Sequence, residues 1–369
     1  MRNRLQKLTL RGFKTIRDLE DFEPGALTVL IGPNGAGKSN LISFFRMLSW
    51  ALASPGGLQI HVAELGGASA LLHDGPEVTR EIEAHLTITT DAGENEYMFR
   101  LVYAAGDTLI FTDEQYRLSR TSFPGRANWR PLDAGHRESR LMDAASGDPT
   151  AKTILVLLRR MIVYQFHNTS ATARMRGKWD VEDSRWLKED GANIAPFLYR
   201  LHNGDPKSYQ RIVETLRLIL PFFADFEFQP SYGKLLLGWR EKGCDRVFDA
   251  SQAADGMLRA MAIVTLLLQP ERDLPDVLIL DEPELGLHPY AINVVGGLIR
   301  SAATNTQVIV ATQSMPLVDC FKPEEVVVVE RKDRESELRR LDTGKLQEWL
   351  EDYSLSELWE KNVIGGRPS

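Results

Sequence analysis

Cysteine is nearly absent from this 369-residue chain: Cys244 and Cys320 stand far apart, without C-x-x-C spacing, so no disulfide framework or cysteine-bound zinc is expected. Long apolar runs are missing too. No stretch approaches the about eighteen apolar residues of a membrane-crossing helix, and the opening Met1-Arg2-Asn3-Arg4-Leu5 lacks the apolar core of a secretion signal. A cytoplasmic protein with no membrane partner is the expectation. No internal repeat, low-complexity tract or sustained heptad pattern is present, which sets aside solenoids and coiled coils. An excess of positive charge is lacking as well. The net charge of −7 argues against indiscriminate coating of nucleic acid, which grows with the number of phosphates neutralised.

Local clusters of positive charge do occur. Arg117, Arg120, Arg126, Arg130, Arg137 and Arg140 face only Asp133 and Glu138 in sequence, with Phe123 and Trp129 interleaved. The stretch from Lys152 to Lys178 has no acidic residue and carries Arg159, Arg160, Arg174 and Arg176. Either is a surface for DNA or an acidic partner, or a set of solvated faces, the commoner fate of charge runs.

Residues 32–39 read Gly-Pro-Asn-Gly-Ala-Gly-Lys-Ser, directly after the apolar run Leu27–Ile31 and before a helical stretch from Asn40. The spacing is that of a phosphate loop. Glycines let backbone N–H groups face phosphates, Lys38 reaches the terminal phosphates and Ser39 ligates magnesium, so ATP and Mg2+ are the expected ligands. Asn34, Gly35, Ala36, Gly37 and Asn40 complete the cradle. A second apolar strand, Val277–Leu280, ends in Asp281 and Glu282. Asp281 is expected to hold the metal through water opposite Ser39, and Glu282 to orient or deprotonate the attacking water. Asp255-Gly256 opens the apolar helix Met261–Leu268, where free N–H groups suit a phosphate. Val308–Ala311 ends in Thr312-Gln313-Ser314, and Gln313 can contact the terminal phosphate or the water.

Four apolar runs, Leu27–Ile31, Val277–Leu280, Val308–Ala311 and Val326–Val329, read as buried parallel strands. They imply an α/β core assembled from both chain ends, residues 1–60 and 245–369. Residues 61–244 form the expected insertion. Inside it, Glu81–Ile88 alternates like a half-buried antiparallel strand, Tyr97–Tyr103 and Thr108–Thr112 continue a meander, and Ile154–Ile162 and Ala195–Leu201 look helical.

Taken together these segments resemble the ABC-type ATPases of the RecF and SMC group, most closely the stand-alone bacterial RecF-like AAA ATPases. Leu8-Thr9-Leu10-Arg11-Gly12-Phe13-Lys14 matches the family's first strand, Glu284-Leu285-Gly286-Leu287-His288-Pro289 its segment after the catalytic glutamate, and Leu350–Lys361 the end of this subgroup. The resemblance implies a P-loop fold of ABC type, with a mostly parallel sheet, an antiparallel β subdomain and a helical insertion. It further implies that Lys14 approaches the nucleotide, that Gln165 senses magnesium, and that two subunits sandwich ATP, each phosphate loop facing the other's Asp255-Gly256 helix. Relatives act on DNA or control an effector such as an antiphage nuclease. The sequence departs from the family twice: Ala254 stands where a serine usually offers its hydroxyl, and Gln313 where many relatives carry a switch histidine. Weak turnover, and hence an ATP-held scaffold for a partner protein, is the alternative expectation. No nuclease domain is expected after Ser314, and a transporter subunit is disfavoured by the Gly12-Phe13-Lys14 opening and the long insertion.

Overall fold

The computed structural model describes residues 3–120 and 127–366. Two six-stranded sheets dominate. One runs, in spatial order, Glu335–Arg340, Val326–Lys332, Leu27–Ile31, Gln307–Ala311, Val277–Asp281 and Met161–Tyr164. All neighbours in it are parallel except Glu335–Arg340, which returns antiparallel along the edge. The other sheet is antiparallel throughout, in the order Ile16–Phe22, Arg4–Phe13, Glu81–Thr90, Gly93–Ala104, Thr108–Arg120 and Arg130–Pro131.

The continuous apolar runs follow from burial on both faces of the parallel sheet. Along its strands, Val29, Leu278, Leu280, Val308, Val310, Val326 and Val328 point into one core, shared with helices Ile194–Gly204, Pro206–Ile219 and Asp255–Leu268. Their neighbours Leu30, Ile279, Ile309, Val327 and Val329 point the other way. They pack on Leu41, Phe44, Phe45 and Leu48 of helix Lys38–Ala53, which is backed in turn by Leu8, Leu10, Leu86 and Phe99 of the antiparallel sheet. At about 1.5–3 kcal/mol for each fully buried aliphatic side chain, this double core fixes the phosphate-loop helix between two sheets.

All four sequence-predicted parallel strands lie in the one sheet. A fifth, Met161–Tyr164, begins inside the stretch Ile154–Ile162 expected to be helical; the helix, Pro149–Arg159, stops short of it, and the strand's β-branched Ile162 and Val163 pair with Leu278 and Ile279. The division at residues 61 and 244 therefore does not coincide with the sheets. Met161–Tyr164 belongs to the parallel sheet, and Glu81–Thr90 pairs with Arg4–Phe13 from the chain's start, because hydrogen-bonded edges are completed by segments distant in sequence.

Several arginines of the two basic stretches are ion-paired. Arg117 chelates Glu96 while lying 4.4 Å from the Trp129 ring, Arg130 pairs with Asp148 and Arg140 with Asp133. Arg160 pairs with Asp276, Arg174 with Asp190 and Arg176 with Asp255, while Arg159 caps the carbonyl of Leu52. Arg126 and Phe123 lie outside the described residues.

Candidate functional site

Parallel strands in register bring their carboxyl ends together, and an open α/β sheet binds ligands at such an edge. Asp281 pairs with Ala311, and Ala311 with Leu30, so the segments that follow (Glu282, Thr312-Gln313 and the loop from Gly32) emerge side by side. Gln165 follows Tyr164 at the end of the next strand.

The loop has glycines where the backbone demands them. Gly37 has φ +114°, and a Cβ there would sit 2.0 Å from Ser336 Oγ; Gly32, at φ +151°, passes so close that a Cβ would lie 2.1 Å from the Val329 carbonyl oxygen. Behind the loop, Ser336 donates to the Ala36 carbonyl at 2.6 Å and lies 2.5 Å from Thr15 Oγ1, which accepts from Asn40 Nδ2 at 2.6 Å. Lys38 is buried, and its ammonium folds back on the carbonyls of Gly32 (2.6 Å) and Pro33 (3.0 Å). Burial pushes its pKa down, against the pull of Glu282 and Asp281. Asn34, Gly35 and Ser39 are exposed.

Asp281 is buried, with Oδ2 accepting from Gln165 Nε2 at 2.9 Å and Oδ1 left without a partner. Burial raises its pKa. A buried, unsatisfied carboxylate oxygen facing a phosphate loop is a position a hydrated cation would satisfy. Gln165 accepts in turn from Arg46 Nη2 at 2.7 Å, and its amide nitrogen also meets His167 Nδ1 at 2.8 Å; His167 Nε2 reaches the Asp281 carbonyl at 3.0 Å. Glu282 holds a positive φ of 45°, a strained backbone for a non-glycine, and accepts a 2.5 Å bond from Gln313 Nε2.

Lys14 stands apart from the loop: its ammonium donates to Ser43 Oγ at 2.7 Å, one helical turn beyond Ser39, and burial lowers its pKa. Ala254 and Asp255 are exposed at the start of their helix, where Asp255 pairs with Arg176, and a Cβ on half-buried Gly256 would lie 2.5 Å from the Gly286 carbonyl oxygen. Ala254 caps that helix with no side-chain bond. Arg46, His167, Thr15 and Ser336 have no signal of their own in the sequence, and Glu284 and Thr312 stand out there only as members of longer segments with no role assigned; the partners of these residues lie up to 321 residues away.

The family described as "AAA domain, putative AbiEii toxin, Type IV TA system" matches residues 27–319. No curated protein matches. Among solved structures, the Smc head bound to the C-winged helix domain of ScpA is 16% identical, with 93% of this chain and 99% of that chain covered at a TM-score of 0.62. The Pyrococcus furiosus Smc head domain with an extended coiled coil, bound to the C-terminal domain of ScpA, is 13% identical, with 95% and 99% covered at a TM-score of 0.55. At these identities the likeness is one of fold. Among the described residues no helix is long and apolar enough to cross a membrane.

Proposed function

This chain belongs to that AAA-domain family and shares its fold with the Smc heads, and from that premise we propose that it is an ABC-type ATPase, which binds ATP with magnesium, hydrolyses it, and uses the nucleotide state as a switch between two copies. The observation that carries this reading is the convergence, at adjacent strand ends, of the phosphate loop, the orphaned Asp281 Oδ1 and the Gln313–Glu282 pair. Ser39, Asp281 and Gln165 would hold the metal. Its chemistry there is to offset charge on the terminal phosphates. Lys38 exchanges the carbonyls of Gly32 and Pro33 for phosphate oxygens, Asn34 to Asn40 supply backbone and side-chain donors, and Glu282 with Gln313 orients the water. Lys14 reaches the same ligand by leaving Ser43.

The exposed helix start at Asp255-Gly256 is free to meet a second copy's phosphate loop, which supports a homodimer or higher homo-oligomer. The switch then acts on DNA or, as the toxin named in the family's description and the ScpA domain bound by the Smc heads favour, on a partner protein such as an antiphage nuclease. The arginines already paired with carboxylates favour DNA less than a partner protein. One observation favours an ATP-held scaffold with little turnover: Ala254 presents no hydroxyl at that helix start.

Magnesium-dependent ATP hydrolysis, with Glu282→Gln and Lys38→Ala as controls, tests the reading. Turnover lost in both, with nucleotide still bound by Glu282→Gln, supports it; turnover unchanged in Glu282→Gln overturns the assignment.

A further inference from the structure

Glu284 is a buried carboxylate two residues beyond Glu282, 8% exposed. Oε1 accepts the Thr312 hydroxyl and the Gln313 backbone N–H at 3.4 Å, and Oε2 is buried without a partner. No arginine or lysine forms an ion pair with it among the described residues; Glu282, a like charge, acts on it, and the Lys38 ammonium feels its charge from a distance. A carboxylate in such surroundings is costly, since burial removes its hydration and no cation pairs with it directly. The fold's geometry nevertheless gives it a specific grip.

Thr312, wholly buried, donates to Glu284 and accepts from the Ser314 N–H at 3.0 Å. Both ends of the three-residue turn Thr312-Gln313-Ser314 are thus tied to one carboxylate oxygen, directly or through a single hydroxyl. Gln313, in the middle, extends back across the gap between strands to Glu282. Two carboxylates from one strand end therefore hold two consecutive residues of the next. Glu284 holds the backbone, and Glu282 receives the side chain.

We propose that Glu284 is a positioning residue: through Thr312 and the Gln313 N–H it sets the reach of the Gln313 amide, and thereby the orientation of Glu282 toward the attacking water. This inference rests on the ATPase reading above. It adds that the segment after Glu282 and the turn after Ala311 work as a unit, so that in this chain the task of a switch side chain is divided between Gln313, which touches Glu282, and Glu284, which aims it.

The test is steady-state ATP hydrolysis by the full chain for Glu284→Gln, Thr312→Val, Thr312→Ser and the double variant Glu284→Gln/Thr312→Val, with Glu282→Gln in parallel and melting temperatures for each. The expected result is a fall in kcat of roughly tenfold to a hundredfold in Thr312→Val, the scale of one lost charged hydrogen bond, and a smaller but clear fall in Glu284→Gln, whose amide oxygen still accepts but carries no charge. KM changes less than about threefold, since no group that binds ground-state nucleotide is touched. Thr312→Ser restores the hydroxyl and the rate, and the double variant is no slower than the slower single one. A kcat unchanged in Glu284→Gln and Thr312→Val, while Glu282→Gln is inactive, overturns the inference and leaves the ATPase reading intact. Losses that add in the double variant, or that fall on KM, also overturn it. Full activity in Glu282→Gln instead removes the reading on which it stands.

Discussion

Gln313 Nε2 donates to Glu282 Oε1 at 2.5 Å across the ends of two adjacent parallel strands. The pair links the residue expected to act as base with the residue that stands in the place of a switch histidine. A glutamine amide donates a hydrogen bond and, unlike a histidine ring, does not titrate.

Removing that donor predicts a specific loss. Gln313→Ala lowers kcat by about tenfold to a hundredfold with nucleotide affinity little changed, whereas Gln313→His, which retains a ring N–H, keeps at least a tenth of the parent rate. Steady-state kinetics on the two variants checks both statements.

The phosphate loop is braced from behind by residues far away in sequence. Ser336→Ala removes the bond to the Ala36 carbonyl and the contact with Thr15, and is expected to destabilise the fold by about 1–2 kcal/mol and to weaken ATP binding several-fold. Gly37→Ala places a Cβ against Ser336 Oγ and abolishes binding. Equilibrium denaturation and fluorescent-nucleotide titration measure the two effects.

Arg46 anchors Gln165, whose amide nitrogen reaches Asp281. In Arg46→Met the glutamine loses its only side-chain donor among the described residues, and the magnesium concentration needed for half-maximal turnover rises about three- to tenfold. Titration of activity with magnesium at saturating ATP reads this directly; an unchanged midpoint contradicts the proposed role of Gln165.

His61 is buried against Trp50, its Nε2 lacks a partner, and burial with the nearby Arg46 and Lys14 pushes its pKa down to about 4. Between that value and the ordinary histidine range near 6.5, the unfolded chain takes up a proton that the folded protein refuses. The associated stability is complete above about pH 6.5 and is lost as pH falls toward 4. Asp281 and Glu284, whose pKa values are raised, act with the opposite sign, so the comparison must be between variants. His61→Phe is expected to lose about 2 kcal/mol less than the parent between pH 7 and pH 4.5, by urea denaturation.

Much of this arrangement was legible in sequence because its signals are local. Gly32–Ser39 after Leu27–Ile31, and Val277–Leu280 before Asp281-Glu282, place strand, loop and carboxylate within a few residues of each other. Four apolar residues following a helix are a different matter. Met161–Tyr164 has the composition of a helix end as much as of a strand, and only its pairing with Val277–Leu280 decides it. Contacts such as Thr15 with Ser336 or Arg46 with Gln165 depend on the register of distant segments, which no local pattern encodes. The same holds for charge: Arg117 and Arg176 looked free in sequence, and are matched by Glu96 and Asp255 from other elements.

The central claim is that the chain hydrolyses ATP at a site completed by a second copy, with Glu282 as its base. The most direct measurement is the specific rate of magnesium-dependent ATP hydrolysis as a function of protein concentration, with Glu282→Gln alongside. The account predicts a rate per subunit that rises with concentration to a plateau and is abolished in the variant. A rate independent of concentration contradicts the shared site, and a rate no higher than that of the variant at any concentration contradicts hydrolysis itself.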